Sequence, residues 1–224
     1  MAARNIELMV WRQGKGESQG AWESHVVDGA QSVSLLQALK SLNKGGAGIA
    51  FNGSGDGDAM CGLLVDGTPC LASNVQVSDL GDKSYLEPFR SFPVVQDLEV
   101  NMEALARDLR AVDALAPEIM KEMGSISNCL RCGVCQEACP DYTGDGTYMG
   151  PAPVVLLDWG NNAPGGEEKK RERLTMLTSD RGVHHDRSGF AFEIGCPNEL
   201  SLRRSMARAK RDASWHWLKS VLEQ

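Results

Sequence analysis

Residues 129–140, CLRCGVCQEACP, set Cys129, Cys132, Cys135 and Cys139 at the spacing C-x2-C-x2-C-x3-C, with Pro140 directly after the last thiol. Three closely spaced thiolates wrap one side of an iron–sulfur cube, and thiolate and iron match as soft partners. In this pattern the fourth cysteine of the run serves a different cluster, so the first three need a ligand from far along the chain. Only Cys196-Pro197, in FEIGCPNEL, repeats the Cys-Pro context downstream. For Cys196 the plain alternative is a packed small apolar residue. For the set it is zinc, to which the triplet spacing is poorly suited. The residues read as a [4Fe-4S] site formed by Cys129, Cys132, Cys135 and Cys196.

Composition agrees with metal ligation. Seven cysteines are an odd number for a disulfide framework, and five of them lie in the two Cys-Pro segments. The N-terminus MAARNIELMVWRQ lacks the pattern of a signal peptide, and no run of about 18 apolar residues is present. A soluble, cytoplasmic chain is expected. Net charge is -7, with 12 Lys and Arg against 9 Asp and Glu from residue 165 onward and 11 against 21 before it. An acidic front and a mildly basic tail argue against nucleic-acid binding, which needs a concentrated basic face. The segments EEKKRERL and RRSMARAKR read as solvated helix surface, with docking to an acidic partner or lipid headgroups as the alternative.

Upstream of the run, Ile6, Leu8 and Val10 alternate in RNIELMVWR, the period of a half-buried strand, and AWESHVVDG completes a hairpin. SVSLLQALKSLNKGG reads as a helix with a serine start, Leu35, Leu36, Leu39 and Leu42 at helical spacing, and a glycine stop. A glycine-rich loop, a strand over Leu63 to Val65, an Asp66-Gly67 turn and a further strand through Val75 and Val77 follow. Pro88 and Pro93 hold YLEPFRSFPVVQDLEV to extended and turn geometry. From Asn101 the period becomes helical, with Leu105, Leu109 and Val112 on one face, and helices and loops continue to the end. The predicted class is α+β: a β-grasp, 2Fe-2S ferredoxin-like domain over 1–100, then an α-helical ferredoxin-like domain over 101–224 carrying the [4Fe-4S] site.

The β-grasp module, the joining EPFRSFPVVQDLEVN, the cysteine run, the following YMGPAPVVLLDW and the late Cys-Pro before a basic helix together resemble the iron–sulfur subunit of succinate dehydrogenase and fumarate reductase. The likeness covers residues 5 to about 212. It implies three clusters in a row, [2Fe-2S], [4Fe-4S] and [3Fe-4S], between a flavoprotein partner and a quinone. It gives the [4Fe-4S] to Cys129, Cys132, Cys135 and Cys196 and leaves Cys139 to the [3Fe-4S].

The other two ligand sets depart from the family pattern. Counting back from Cys196 to the remaining [3Fe-4S] positions gives Phe192 and Asp186; the segment offers His184, His185 and Asp186 as conceivable nitrogen or oxygen ligands, but one cysteine cannot hold a cuboidal cluster alone, so Cys139 reads as a remnant, packed thiol. In the [2Fe-2S] loop, Cys61 fills the third place, Asp58 the second and Gly53, beside Ser54, the first; Ser73 stands where the last thiol belongs and Cys70 lies three residues early. Asp56 is a further carboxylate there. We expect [2Fe-2S] and [3Fe-4S] to be absent. The GSGDGDAMCG loop has no phosphate-binding ending, and no Ser-His-Asp or Cys-His arrangement stands out. His184 and His185 read as a solvated loop, Tyr142 and Trp159 as core, with quinone or cofactor contact the alternative in each case. Trp215 and Trp217 belong to an amphipathic terminal helix that packs on this chain or a neighbour.

Two functions follow from the resemblance. One is the electron-transfer subunit of a succinate dehydrogenase or fumarate reductase-like respiratory complex, with a flavoprotein subunit carrying the substrate chemistry and membrane-anchor subunits beside it. The other is a noncatalytic scaffold of a larger respiratory assembly with one structural [4Fe-4S] cluster. Either places the chain peripherally on the cytoplasmic or matrix-like face of an energy-transducing membrane.

Overall fold

A computed structural model describes residues 4–29, 32–53, 60–117, 129–187 and 196–223. The chain divides into two compact units, Met1–Asn101 and Met102–Gln224, and the architecture is α+β.

In the first unit β1 (Asn5–Arg12) and β2 (Ala21–Asp28) form the antiparallel hairpin, α1 (Leu35–Lys44) follows, and β3 (Gly62–Val65), β4 (Thr68–Leu71) and β5 (Lys83–Glu87) complete a five-stranded sheet. Its order is β2-β1-β5-β3-β4, with β1 and β5 parallel in the centre, the β-grasp arrangement. Ile6, Leu8 and Val10 are fully buried with Leu35, Leu39, Leu63 and Leu86. Their alternation puts Trp11 on the other face, edge-to-face with Trp22 at 5.2 Å, and Trp22 meets Tyr85 the same way at 5.1 Å. Ser34 caps α1 in a capping box with Gln37: the Ser34 N–H donates to Gln37 Oε1 at 2.9 Å and the Gln37 N–H to Ser34 Oγ at 3.3 Å. Asp66 and Gly67 both have positive φ, +49° and +78°, as the two-residue turn between β3 and β4 requires.

One expected strand is absent: Val75 and Val77 do not continue β4. The chain turns after Leu71, and the carbonyls of Ala72 and Val75 accept the N–H groups of Leu36 and Leu35 at 3.0 and 2.8 Å. The first turn of a helix has N–H groups with no partner inside it, and this segment supplies them one. Val77, buried, opens a short 3-10 turn instead.

A last hairpin, β6 (Val94–Gln96) and β7 (Glu99–Val100), closes the unit. Asp97 in its turn is 3% exposed and ties three segments together. Its Oδ1 accepts Arg12 Nε at 3.1 Å and the Gln13 N–H at 3.0 Å, and its Oδ2 accepts the Ala50 N–H at 3.0 Å.

The second unit is helical: α2 (Glu103–Leu115), α3 (Val134–Glu137), α4 (Pro151–Asn162), α5 (Lys170–Leu177) and α6 (Leu202–Leu222). Among the described residues helix α4 is central, packing on the other four helices named, with every residue from Pro151 to Asp158 buried. It starts at Gly150, whose φ of +82° favours glycine and whose added Cβ would meet Gln136 Nε2 at 2.2 Å, and has proline at its first position. Gly160 lets α4 approach α2 closely, since a Cβ there would lie 2.8 Å from that of Ala116. Arg208 of α6 grips the buried Asp158 at 2.6 Å. Arg173 of α5, itself fully buried, donates to the carbonyls of Leu115 and Gly166 and to Asn161 Oδ1. Among the described residues no helix is long and apolar enough to cross a membrane.

Replacing Asp97 by Ala leaves Arg12 and two backbone N–H groups without their acceptor; we expect a loss of about 3 kcal/mol in urea unfolding followed through the first unit. A change within experimental error would show that Asp97 is not a structural tie.

Candidate metal centre

The loop that carries the cysteine run is shaped by its backbone. Arg131 and Gly133 both have positive φ, +54° and +79°, curling the chain before α3. Arg131 is held there by a two-pronged ion pair with Asp113 of α2, at 2.7 and 2.6 Å. Gln136, fully buried between Cys135 and Cys139, donates to the Met149 carbonyl at 3.0 Å and accepts the Ala152 N–H at 3.1 Å, fixing α3 against the start of α4.

Cys129, Cys132, Cys135 and Cys196 line one small cavity of about 30 Å3, walled by Ala152, Val155 and Trp159 of α4 and by Leu200 and Leu202. Cys196 is brought to the run from more than sixty residues away. The thiols sense one another. Burial first, then the neighbouring cysteines, pushes the Cys135 thiol well above its ordinary value, and burial holds Cys132 at about 11 and Cys129 raised. Backbone N–H groups oppose this: those of Arg131 and Val134 act on Cys129 and Cys132, and the Leu200 N–H donates to Cys196 Sγ at 3.4 Å. Four thiols around a largely apolar cavity, with amides directed at the sulfurs, is a donor set that fits an iron–sulfur cluster, whose cationic iron favours the thiolates that burial disfavours.

Cys139 does not line that cavity. It is 1% exposed, and its sulfur and carboxylate oxygens of Asp141 and Asp186 lie within 4.8 Å of one another. Asp186, at a position where the family pattern places a thiol, is thus next to Cys139, while Phe192 lies outside the described residues. Asp141 was not singled out from the sequence, although it directly follows Cys139-Pro140. Nor was Lys210 of α6, whose Nζ is 2.5 Å from Asp186 Oδ2. His184 is exposed; the His185 ring lies 6.1 Å from that of Tyr148 and its Nε2 is 2.6 Å from the Asp180 carbonyl. Tyr142 is buried, as read, and Trp159 lines the four-cysteine cavity while donating to Ser205 Oγ at 2.7 Å. Trp215 and Trp217 are exposed, 60% and 58%.

In the first unit Cys61 is a core residue, 3% exposed among Leu63, Ala72 and Leu39, and Cys70 packs against that core with its Sγ 3.7 Å from the Leu63 carbonyl. Ser73 is exposed, and Asp58, Ser54 and Asp56 lie outside the described residues. Burial, then the charge of Cys70, pushes the Cys61 thiol up to about 12, and burial pushes Cys70 up to about 11.

Fold and site together define an iron–sulfur protein of ferredoxin-like build. Residues 7–107 match the family described as the 2Fe-2S iron-sulfur cluster binding domain. The succinate dehydrogenase iron-sulfur subunit of Bacillus subtilis is 24% identical, over 94% of this chain and 93% of its own length. The fumarate reductase iron-sulfur subunit of an Escherichia coli strain is 26% identical over 73% of this chain and 72% of its own. In the fold, a chain of the Mycobacterium smegmatis Sdh1 complex superposes with a TM-score of 0.76 at 16% identity, covering 95% of this chain and 97% of that one. The resemblance to the iron–sulfur subunits of succinate dehydrogenases and fumarate reductases is borne out, at a divergent level of identity.

A thiol raised in the fold above its ordinary value of 9.0 favours the folded state below that pH, and this contribution is lost as pH rises toward 12. We expect stability of the first unit to fall over that window and Cys61→Ala to flatten the decline, read by urea unfolding at stepped pH. Burial keeps Cys61 protonated near pH 8 and out of contact with reagent, so iodoacetamide should label it only after unfolding. Rapid labelling of the native protein would contradict the core placement.

Proposed function

We propose that this chain is the iron–sulfur, electron-relaying subunit of a succinate dehydrogenase or fumarate reductase-like respiratory complex, with one [4Fe-4S] cluster held by Cys129, Cys132, Cys135 and Cys196. The convergence of these four thiols on one cavity carries the reading. A cluster bound there supplies one-electron transfer. The chain's own residues do the rest. Arg131, Gly133 and the Asp113 ion pair hold the loop open around the cavity, the amides of Arg131, Val134 and Leu200 stabilise negative sulfur, and α4 walls the site with apolar side chains. These hydrogen bonds and the burial set the potential.

The substrate chemistry belongs to a flavoprotein partner, and membrane-anchor subunits complete the assembly on the cytoplasmic or matrix-like face of the membrane. This rests on the kinship with subunits named for those enzymes. We further propose that the first unit keeps the β-grasp fold without a [2Fe-2S] cluster: it has two cysteines, and both pack in or against its apolar core. A [3Fe-4S] cluster is likewise not part of the proposal, since Cys139 is surrounded by carboxylates.

Iron and acid-labile sulfide, with paramagnetic resonance of the anaerobically purified complex during redox titration, test this. We expect four irons per chain and one reversibly reduced [4Fe-4S] signal. Cys196→Ser should remove or convert that signal, and Cys139→Ser should leave it intact. A cluster that stays inert across the quinone and flavin range would leave the scaffold role, and iron retained in full by Cys132→Ser/Cys196→Ser would sink the ligand assignment.

A further inference from the structure

The group around Cys139 is more than the residue of a lost thiolate set. Its three ligand atoms, Cys139 Sγ and one oxygen each of Asp141 and Asp186, lie within 4.8 Å of one another, close enough for a single ion to draw them to bonding distance. Cys139 is 1% and Asp186 5% exposed. Two further groups converge there. The Lys210 ammonium sits 2.5 Å from Asp186 Oδ2 and donates to the Asp186 carbonyl at 2.9 Å. Tyr148, 2% exposed, has a buried hydroxyl with no hydrogen-bond partner among the described residues. Its ring lies 6.1 Å from that of His185, next to Asp186, and its hydroxyl is within electrostatic reach of Asp186, Cys139 and Asp141. A buried hydroxyl without a partner is costly in a folded protein and points to something missing beside it.

We propose that Cys139, Asp141 and Asp186 form a mononuclear site for a borderline-soft divalent cation of the zinc(II) class, with the Tyr148 hydroxyl beside the open coordination position. The donor chemistry selects the ion. One thiolate with two carboxylates is too soft for calcium or magnesium and suits zinc(II) or iron(II). Three protein ligands leave a fourth position for water, to which the Tyr148 hydroxyl can hydrogen-bond, giving that orphan group its partner.

Charge balance agrees. Two carboxylates and a thiolate carry three negative charges, of which a divalent cation offsets two. Binding exchanges the Cys139 thiol proton for the ion, so one proton leaves and no electrons move. Lys210 competes for the same charge. It lines, with Asp186, an open groove also bordered by His184 and Trp217, so its ammonium has solvent to move into. The proposal needs none of the four cysteines of the other centre and stands or falls apart from the electron-relay reading.

The test uses the full chain purified anaerobically with its iron–sulfur centre. It is equilibrated with zinc(II) against a chelator of known affinity, and zinc and iron are measured in the same sample after unbound metal is removed. We expect one zinc per chain in addition to the iron. Cys139→Ser and Asp186→Asn should each weaken zinc binding at least about tenfold with the iron content unchanged. Lys210→Met, which removes the competing charge, should tighten it. If Asp186→Asn impairs folding, seen as iron loss, the opposite sign expected of Lys210→Met decides. No retained zinc, zinc gained only as iron is lost, affinity equal to wild type in Cys139→Ser, or no tightening in Lys210→Met would each overturn the site.

Discussion

The second unit depends on one long-range meeting, that of Cys196 with the loop from Cys129 to Cys135. Closing a loop of this length is entropically unfavourable, and the chain can sustain it only if the ends are held by something stronger than two packed thiols. The surroundings supply part of this. The Arg131–Asp113 pair fixes one side of the loop, Gln136 fixes the other, and α4 provides the apolar wall. An ion or cluster bridging the sulfurs would supply the remainder, because ligand binding to the folded form alone adds directly to its stability.

Outside the four-thiol cavity, Cys61 and Cys139 sit in two unlike environments. Cys61 has been absorbed into the apolar core of the first unit, where a thiol serves as a small hydrophobe. Cys139 has the reverse surroundings, carboxylates and an ammonium. The two neighbourhoods therefore differ physically: one is oily, the other ionic. The ionic one retains the means to bind a cation.

Much of this was legible in the sequence because it is local. The alternation of Ile6, Leu8 and Val10, the Ser34 start of α1 and the Asp66-Gly67 turn each express a short-range rule, and the structure follows them. The pairing of Cys196 with the run was readable from a repeated Cys-Pro context. The parallel pairing of β1 with β5 and the Asp97 tie join segments over seventy residues apart, which no periodicity encodes. The stretch around Val75 looked like a strand because its side chains alternate, yet its carbonyls were needed at the open end of α1, and hydrogen-bond demand outweighed the pattern. Asp141, Tyr148 and Lys210 escaped notice since each is ordinary in its own segment and becomes distinctive only when three parts of the chain meet.

Arg173 has a consequence for how the second unit comes together. Its guanidinium is stripped of water, and its donors reach the end of α2, the end of α4 and the turn before α5. With any one of these segments out of place, part of the guanidinium loses its acceptor. A partially docked helix pair forgoes part of this network, so the side chain acts as a coincidence detector that favours the arrangement in which all three segments are present together.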